Sequence, residues 1–362
     1  MYAAKLAVGS AFCALVDTKG QIFRFSPILM QNWPMCNDFF LTLCYNEARS
    51  AVGEALSLPA VIILLVLEDK SLKLSNISVI KDLLGRHGFT FSKALGQNFL
   101  INPTVCPRMA EEGGAAPGVG VIEIGAGIGV LTAELAQRAE KVLCIEIDSR
   151  LLPILDETLG EYNNIKIINE DVLKVDLPAL IAQEFPGMEV VVCANLPYYI
   201  TSPILMDLLE QRLPIRSITV MVQKEAAQRI CAPLGSREVG AVTVAVRYFS
   251  EPKVLFQVSR GSFLPAPDVD STVIRLDVHQ EPPVSVPDET LFFQVVRGAF
   301  SQRRKTVSNS LSSALSLPKA AVNQILEAAG VPLTARPEQL SMEEFAALST
   351  AVGNWKKAAN RE

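Results

Sequence analysis

The chain is 362 residues long, 49% hydrophobic and 20% charged, with a formal net charge of −5. These values exclude a disordered polymer and leave room for two or three domains around a sizeable core. They also exclude non-specific nucleic-acid binding through bulk charge, so any RNA contact has to come from a local basic patch. The seven cysteines form no CxxC pair, and the two histidines, His87 and His279, offer no ready metal site or triad. Reduced thiols and a cytoplasmic location are therefore expected, with no metal.

Residues 1–71 read differently from the rest. They are sparsely charged, and the apolar run 56–67 is closed by Glu68 and Asp69, short of the roughly 20 residues of a membrane span. The expectation is an N-terminal extension, artefactual or disordered, with a partner-binding segment as a further reading. From Ser75 the chain becomes regular. The pattern predicts a capped helix over Asn76–Gly85 and another over Pro103–Glu112, ended by Gly113 and Gly114. Strands then alternate with helices: Val121–Ile124, helix 130–139, strand 141–147, a helix over 149–159 despite Pro153, strand Ile165–Asn169 and strand Val190–Ala194. A helix at 202–210, a strand at 217–223 and a helix at 224–230 follow; 239–249 is ambiguous, and 254–258 and 271–278 close the pattern as an antiparallel pair. This is a Rossmann-like α/β sheet with helices on both faces. After the Pro-rich stretch 280–287, four helical patterns predict a small α-helical domain. The expected organisation is 1–71 extension, 72–279 catalytic domain and 280–362 helical domain.

Chemistry concentrates at predicted strand ends, where open α/β sheets bind ligands. Gly125-Ala126-Gly127-Ile128-Gly129 follows the first strand and opens a helix, with GxGxG spacing in place of the dinucleotide GxGxxG. Glu146 ends the second strand, where an acid can take both hydroxyls of a ribose, and Asp171 follows the third, where a carboxylate suits an exocyclic adenine amine. The fourth strand runs into Asn195-Leu196-Pro197-Tyr198. An adenine amine is a weak nucleophile because its lone pair is delocalised. Two acceptors on its N–H bonds, the Asn195 side-chain oxygen and a main-chain carbonyl near Leu196 and Pro197, would hold it and favour a pyramidal nitrogen. Pro197 stiffens the turn, and Tyr198 offers a face to an unstacked base.

These residues resemble the KsgA/RsmA family, the small-subunit ribosomal RNA adenine N6,N6-dimethyltransferases. The resemblance runs from about Ser75 to Val352 through five motifs in order: 95–100 (LGQNFL), 123–129 (EIGAGIG), 195–198 (NLPY), 263–271 (FLPAPDVDS) and 300–306 (FSQRRKT). It implies S-adenosyl-L-methionine as cofactor, and dimethylation of two adjacent adenosines in a 3′-terminal hairpin loop of 16S ribosomal RNA within a pre-30S subunit, by a monomer. It further implies that Gln97, Asn98 and Leu100 meet the cofactor through an N-terminal lid, and that Gly125 and Gly127 pass close to it. Glu146 would bind ribose, Asp171 the adenine amine, and Asn195 both cofactor and target. With Leu196 and Pro197 in the turn, Tyr198 and Phe263 would sandwich the flipped base. Arg297, Arg303, Arg304 and Lys305 are the expected RNA contacts. The competing readings are a large-subunit RNA adenine methyltransferase of the antibiotic-resistance type, a non-catalytic ribosome-assembly factor and a NAD-dependent oxidoreductase. The last leaves Asn195–Tyr198 unexplained.

Overall fold

The computed structural model describes residues 13–16, 22–25, 74, 76–92, 95–302 and 304–359. The chain divides into two units, Met1–Leu72 and Lys73–Glu362. In the first, β1 (Cys13–Val16) and β2 (Ile22–Phe25) pair antiparallel. The remainder of that unit lies outside the described residues, and so does the expectation of an artefactual or disordered extension.

The second unit starts with α1 (Ile77–Arg86), where Asn76 Oδ1 accepts the Ser78 N–H at 2.9 Å and so caps the helix. A two-residue strand, β3 (Phe99–Leu100), and α2 (Val105–Glu112) follow. Five strands then pair in parallel: β4 (Val119–Ile124), β5 (Lys141–Glu146), β6 (Ile165–Asn169), β7 (Glu189–Asn195) and β8 (Ser217–Gln223). Every residue of β4 is buried, as a strand covered on both faces must be. The sheet is completed by β9 (Ser250–Val258) and β11 (Ser271–Val278), giving the order β6-β5-β4-β7-β8-β11-β9, with β11 antiparallel to both neighbours. Strand order reverses at β4, which has β5 on one side and β7 on the other. The loops after β4 and β7 therefore open a crevice between them.

Three local outcomes refine the expected pattern. After α3 (Val130–Ala136), Ser149–Leu151 forms a 3-10 turn and α4 (Leu152–Leu159) follows, with Pro153 in its first turn, where a missing N–H costs nothing. The sequence reading passed over a helix between β6 and β7; the structure has one, Leu177–Glu184, capped by Asp176 Oδ1 on the Ala179 N–H. The ambiguous stretch is helical over Ala241–Phe249 and runs straight into β9.

Beyond β11 come helices Glu289–Ala299, Val307–Ala314, Lys319–Ala328 and Met342–Ala359; the sequence pattern predicts the last over 342–352 only. They share one hydrophobic core with the sheet. At the junction Tyr248 and Phe249 pack on Phe292 and Phe293, with ring centroids 5.0 Å (Tyr248–Phe292) and 5.3 Å (Phe249–Phe293) apart, and Tyr248 Oη donates to Glu289 at 2.7 Å. No helix among the described residues is long and apolar enough to cross a membrane.

Candidate active site

A cleft opens at the carboxyl ends of β4 to β7. It is lined by Gln97 and Asn98 from the segment before β3, Gly125 and Gly127 after β4, Glu146 and Ile147 at β5, Asp171 after β6, and the whole Asn195–Tyr198 turn. The first strand end is turned by Gly125, Gly127 and Gly129, at φ +78°, +59° and +88°. Side chains rarely adopt those angles, so the residue type is set by the backbone. The Phe99 ring lies 3.3 Å from the place a Gly127 Cβ would take, which brings β3 down onto the glycine loop.

Glu146 is 4% exposed. Its Oε2 accepts the Gly127 N–H at 3.1 Å and its Oε1 the Asp148 N–H at 2.9 Å. Burial raises its pKa, and the backbone donors oppose that shift. Each oxygen keeps a lone pair for a further donor. Asn169 Nδ2 donates to the Glu146 carbonyl at 2.7 Å and ties the ends of β5 and β6 together. Ile147, 53% exposed between two acids, presents an apolar face suited to a flat heterocycle. Asp171 Oδ1 accepts the Leu173 N–H at 3.1 Å, so this carboxylate both caps a turn and lines the cleft.

At the β7 turn, Asn195 Nδ2 donates to the Asn98 carbonyl at 3.4 Å, which leaves Oδ1 as the acceptor of that side chain. The Pro197 carbonyl accepts the Ile200 N–H and the Thr201 hydroxyl, both at 3.2 Å. Of the two carbonyls anticipated in this turn, Leu196 is the less committed. The Tyr198 hydroxyl is hydrogen-bonded to Ser271 Oγ at 2.6 Å, and burial raises its pKa.

Two of the anticipated residues stand apart from the main cleft. Phe263 is 3% exposed and sits on β10 (Phe263–Leu264), paired with Leu100 of β3, so it does not line the cleft. Leu100 instead lines an adjoining pocket with Met109, Cys106 and Glu123. Glu123, which the sequence reading took only as part of the glycine motif, is 1% exposed, and burial pushes its pKa up to about 8. The Cys144 thiol faces its carboxyl at 3.4 Å. Asp148 was also passed over; the signal available was an acid two residues beyond Glu146, just before Ser149. The cationic set lies elsewhere: Arg297 is exposed on its helix, and Arg304 and Lys305 are exposed in the turn before Val307. Arg303 and the motif neighbours Lys93 and Ala94 lie outside the described residues.

The match of this mostly parallel sheet to solved methyltransferases, together with the family model that fits the chain, places the protein among the S-adenosylmethionine-dependent methyltransferases. Two solved structures share the fold. A 23S rRNA methyltransferase, ErmE, is 30% identical with a TM-score of 0.54, covering 71% of this chain and all of that one. A dimethyladenosine transferase from Plasmodium falciparum is 26% identical with a TM-score of 0.60, covering 71% of this chain and 98% of that one. The family model described as ribosomal RNA adenine dimethylase matches residues 88–351, and the chain belongs to that family. Its relatives include a ribosomal RNA small subunit methyltransferase A from Geobacillus thermodenitrificans, 51% identical over 75% of this chain and 94% of the relative. Another protein of that name, from Alkaliphilus oremlandii, is 46% identical over 76% of this chain and 97% of its own length.

Proposed function

We propose that this enzyme uses S-adenosylmethionine to dimethylate the N6 amines of two adjacent adenosines in the 3′-terminal hairpin loop of 16S ribosomal RNA. It acts as a cytoplasmic monomer on a pre-30S particle, with methyl transfer in 72–279 and RNA binding through 280–362. The observation that carries the reading is the β7 turn, whose Asn195 and Leu196 line the same cleft as Glu146 and the glycine loop and offer a side-chain and a main-chain acceptor.

The cleft residues fit the cofactor. No atom lies within 4 Å of the position a Gly125 side chain would occupy, so the backbone there is open to a close ligand. Glu146, fixed by two N–H donors, presents its remaining lone pairs to two hydroxyls, and Asp171 stands at the far rim for an amine. When bound, S-adenosylmethionine supplies an electrophilic methyl group on a sulfonium. The chain's own residues then have to align and hold. Asn195 and Leu196 accept the N–H bonds of the target amine and stabilise the charge that develops on nitrogen. Tyr198, its hydroxyl anchored by Ser271, gives the extruded base a stacking face worth about 1–3 kcal/mol. Pro197 keeps the turn rigid enough to admit the amine a second time, after its first methyl.

Methylation assays on pre-30S particles, naked small-subunit RNA and large-subunit RNA test the assignment. Two adjacent N6,N6-dimethyladenosines in the small-subunit RNA are the expected product. Methylation confined to the large-subunit RNA would refute it.

A further inference from the structure

We infer that Asp148 is a positioning residue that fastens the segment before β3 to the strand end carrying the Glu146 carboxylate. The inference rests on the proposed cofactor reading of that carboxylate.

The chain touches this point from both sides. Gln97 Nε2 donates to Asp148 Oδ2 at 2.7 Å, and Gln97 Oε1 accepts the Ser92 N–H at 2.8 Å. Gln97 thus has both ends of its amide committed to protein partners, which defines a structural task for a residue that the sequence had offered as a cofactor ligand. Arg150 grips the same carboxylate, donating through Nε to Oδ1 at 2.8 Å and through Nη2 to Oδ2 at 2.6 Å. Its other nitrogen, Nη1, reaches the Thr90 carbonyl at 3.3 Å, and its guanidinium stands 5.1 Å from the centroid of the Phe89 ring. Residues 89, 90, 92 and 97 therefore converge on one acid and its arginine. The backbone N–H of that same acid holds Glu146 Oε1.

A second fastening lies on the same face. Arg86 donates two hydrogen bonds to Glu157 of α4, at 3.0 and 2.7 Å, and His87 Nε2 lies 2.7 Å from the same carboxylate. The Glu157 side chain is 32% exposed and its partner Arg86 47%, so water and salt screen the pair. The Asp148 side chain is 5% exposed. The outer contact docks α1 through a part-exposed carboxylate, whereas the inner carboxylate is buried beneath an Arg150 side chain that is itself 47% exposed, and it is continuous with the cofactor carboxylate. Geometry at Gln97 is thereby transmitted to Glu146 through one residue.

The test is S-adenosylhomocysteine binding by calorimetry, with hydrogen exchange at the Ser92 amide, on the full chain. Gln97→Ala and Asp148→Asn should each weaken binding by about tenfold. The double variant should be little worse than either, because both remove the same connection. Ligand should protect the Ser92 amide in the wild type and fail to do so in the variants. Glu157→Gln should lower Tm and leave the ligand affinity within about twofold. If Asp148→Asn does not fold, Gln97→Ala and Arg150→Gln carry the same test. Effects of Gln97→Ala and Asp148→Asn that simply multiply, or unchanged affinity in both, would overturn the inference. A wild-type protein that does not bind S-adenosylhomocysteine would instead remove the cofactor reading beneath it.

Discussion

The rim of the parallel sheet and the C-terminal helices solve opposite electrostatic problems. At the rim, Glu123 and Glu146 are carboxyl groups taken out of water, and Glu146 is held in place by backbone N–H donors. Among the C-terminal helices, Arg297, Arg304 and Lys305 stand in solvent above an apolar core. Buried, oriented groups act through position and tolerate little error, while exposed cations act through charge and tolerate much. On the proposed reading, alignment falls to the buried groups of the rim and RNA affinity to the exposed cations of the C-terminal helices.

The sharpest way to break this division is at the β7 turn. Asn195→Ala should lower kcat by about 10²- to 10³-fold, as loss of an oriented acceptor does where charge develops. RNA affinity, read by filter binding in parallel with single-turnover methylation, should stay near wild type. Equal losses in both would mean that the rim also carries RNA affinity. Next in size is Glu146→Ala, which removes a charged hydrogen-bonding partner and should weaken S-adenosylhomocysteine binding by about 10- to 100-fold in calorimetry. Its salt dependence of RNA binding should not move. The converse experiment replaces Arg303 and Arg304 with Ala: RNA affinity should fall, and the salt slope should flatten by about one unit per lost phosphate contact, with cofactor affinity intact. An unaltered slope would make this a solvated face only.

The smallest effect concerns Glu123. Its folded pKa of about 8 lies above the ordinary 4.5, so between those values the native state holds a proton that the unfolded chain releases. The cost is absent below about pH 4.5 and complete above about pH 8. Glu123→Gln should therefore raise Tm by an amount that grows across that window and then levels, at about 2–4 °C for each kcal/mol relieved. Thermal scans from pH 5 to 9 check this; a gain independent of pH would show that the carboxyl is ionised throughout.

The strand ends were legible in the sequence because a parallel sheet writes its strands as apolar runs, and the residue that ends each run is already at the ligand edge. Gly125, Glu146, Asp171 and Asn195 follow from that rule, and the structure brings them to one cleft. The helix at 177–184 was missed since its eight residues begin with a proline turn, although two parallel neighbours require a crossover. The bond from Gln97 to Asp148 could not be read from the motif alone, because that partner lies 51 residues away. Phe263 carries no local mark of burial: its place depends on pairing with Leu100, a contact that only the closed fold creates.

The interlocked rings of Tyr248, Phe249, Phe292 and Phe293 give the molecule the character of a caliper. On the proposed reading one jaw would be the basic turn before Val307 and the other the Asn195 turn, with packed aromatic carbon at the joint. We expect the span between gripped phosphates and offered base to be gauged by the protein, so that a substrate qualifies by the dimensions of its folded stem and loop as much as by its bases. Methylation of hairpins with stems one or two pairs longer, at matched affinity, reads that gauge directly.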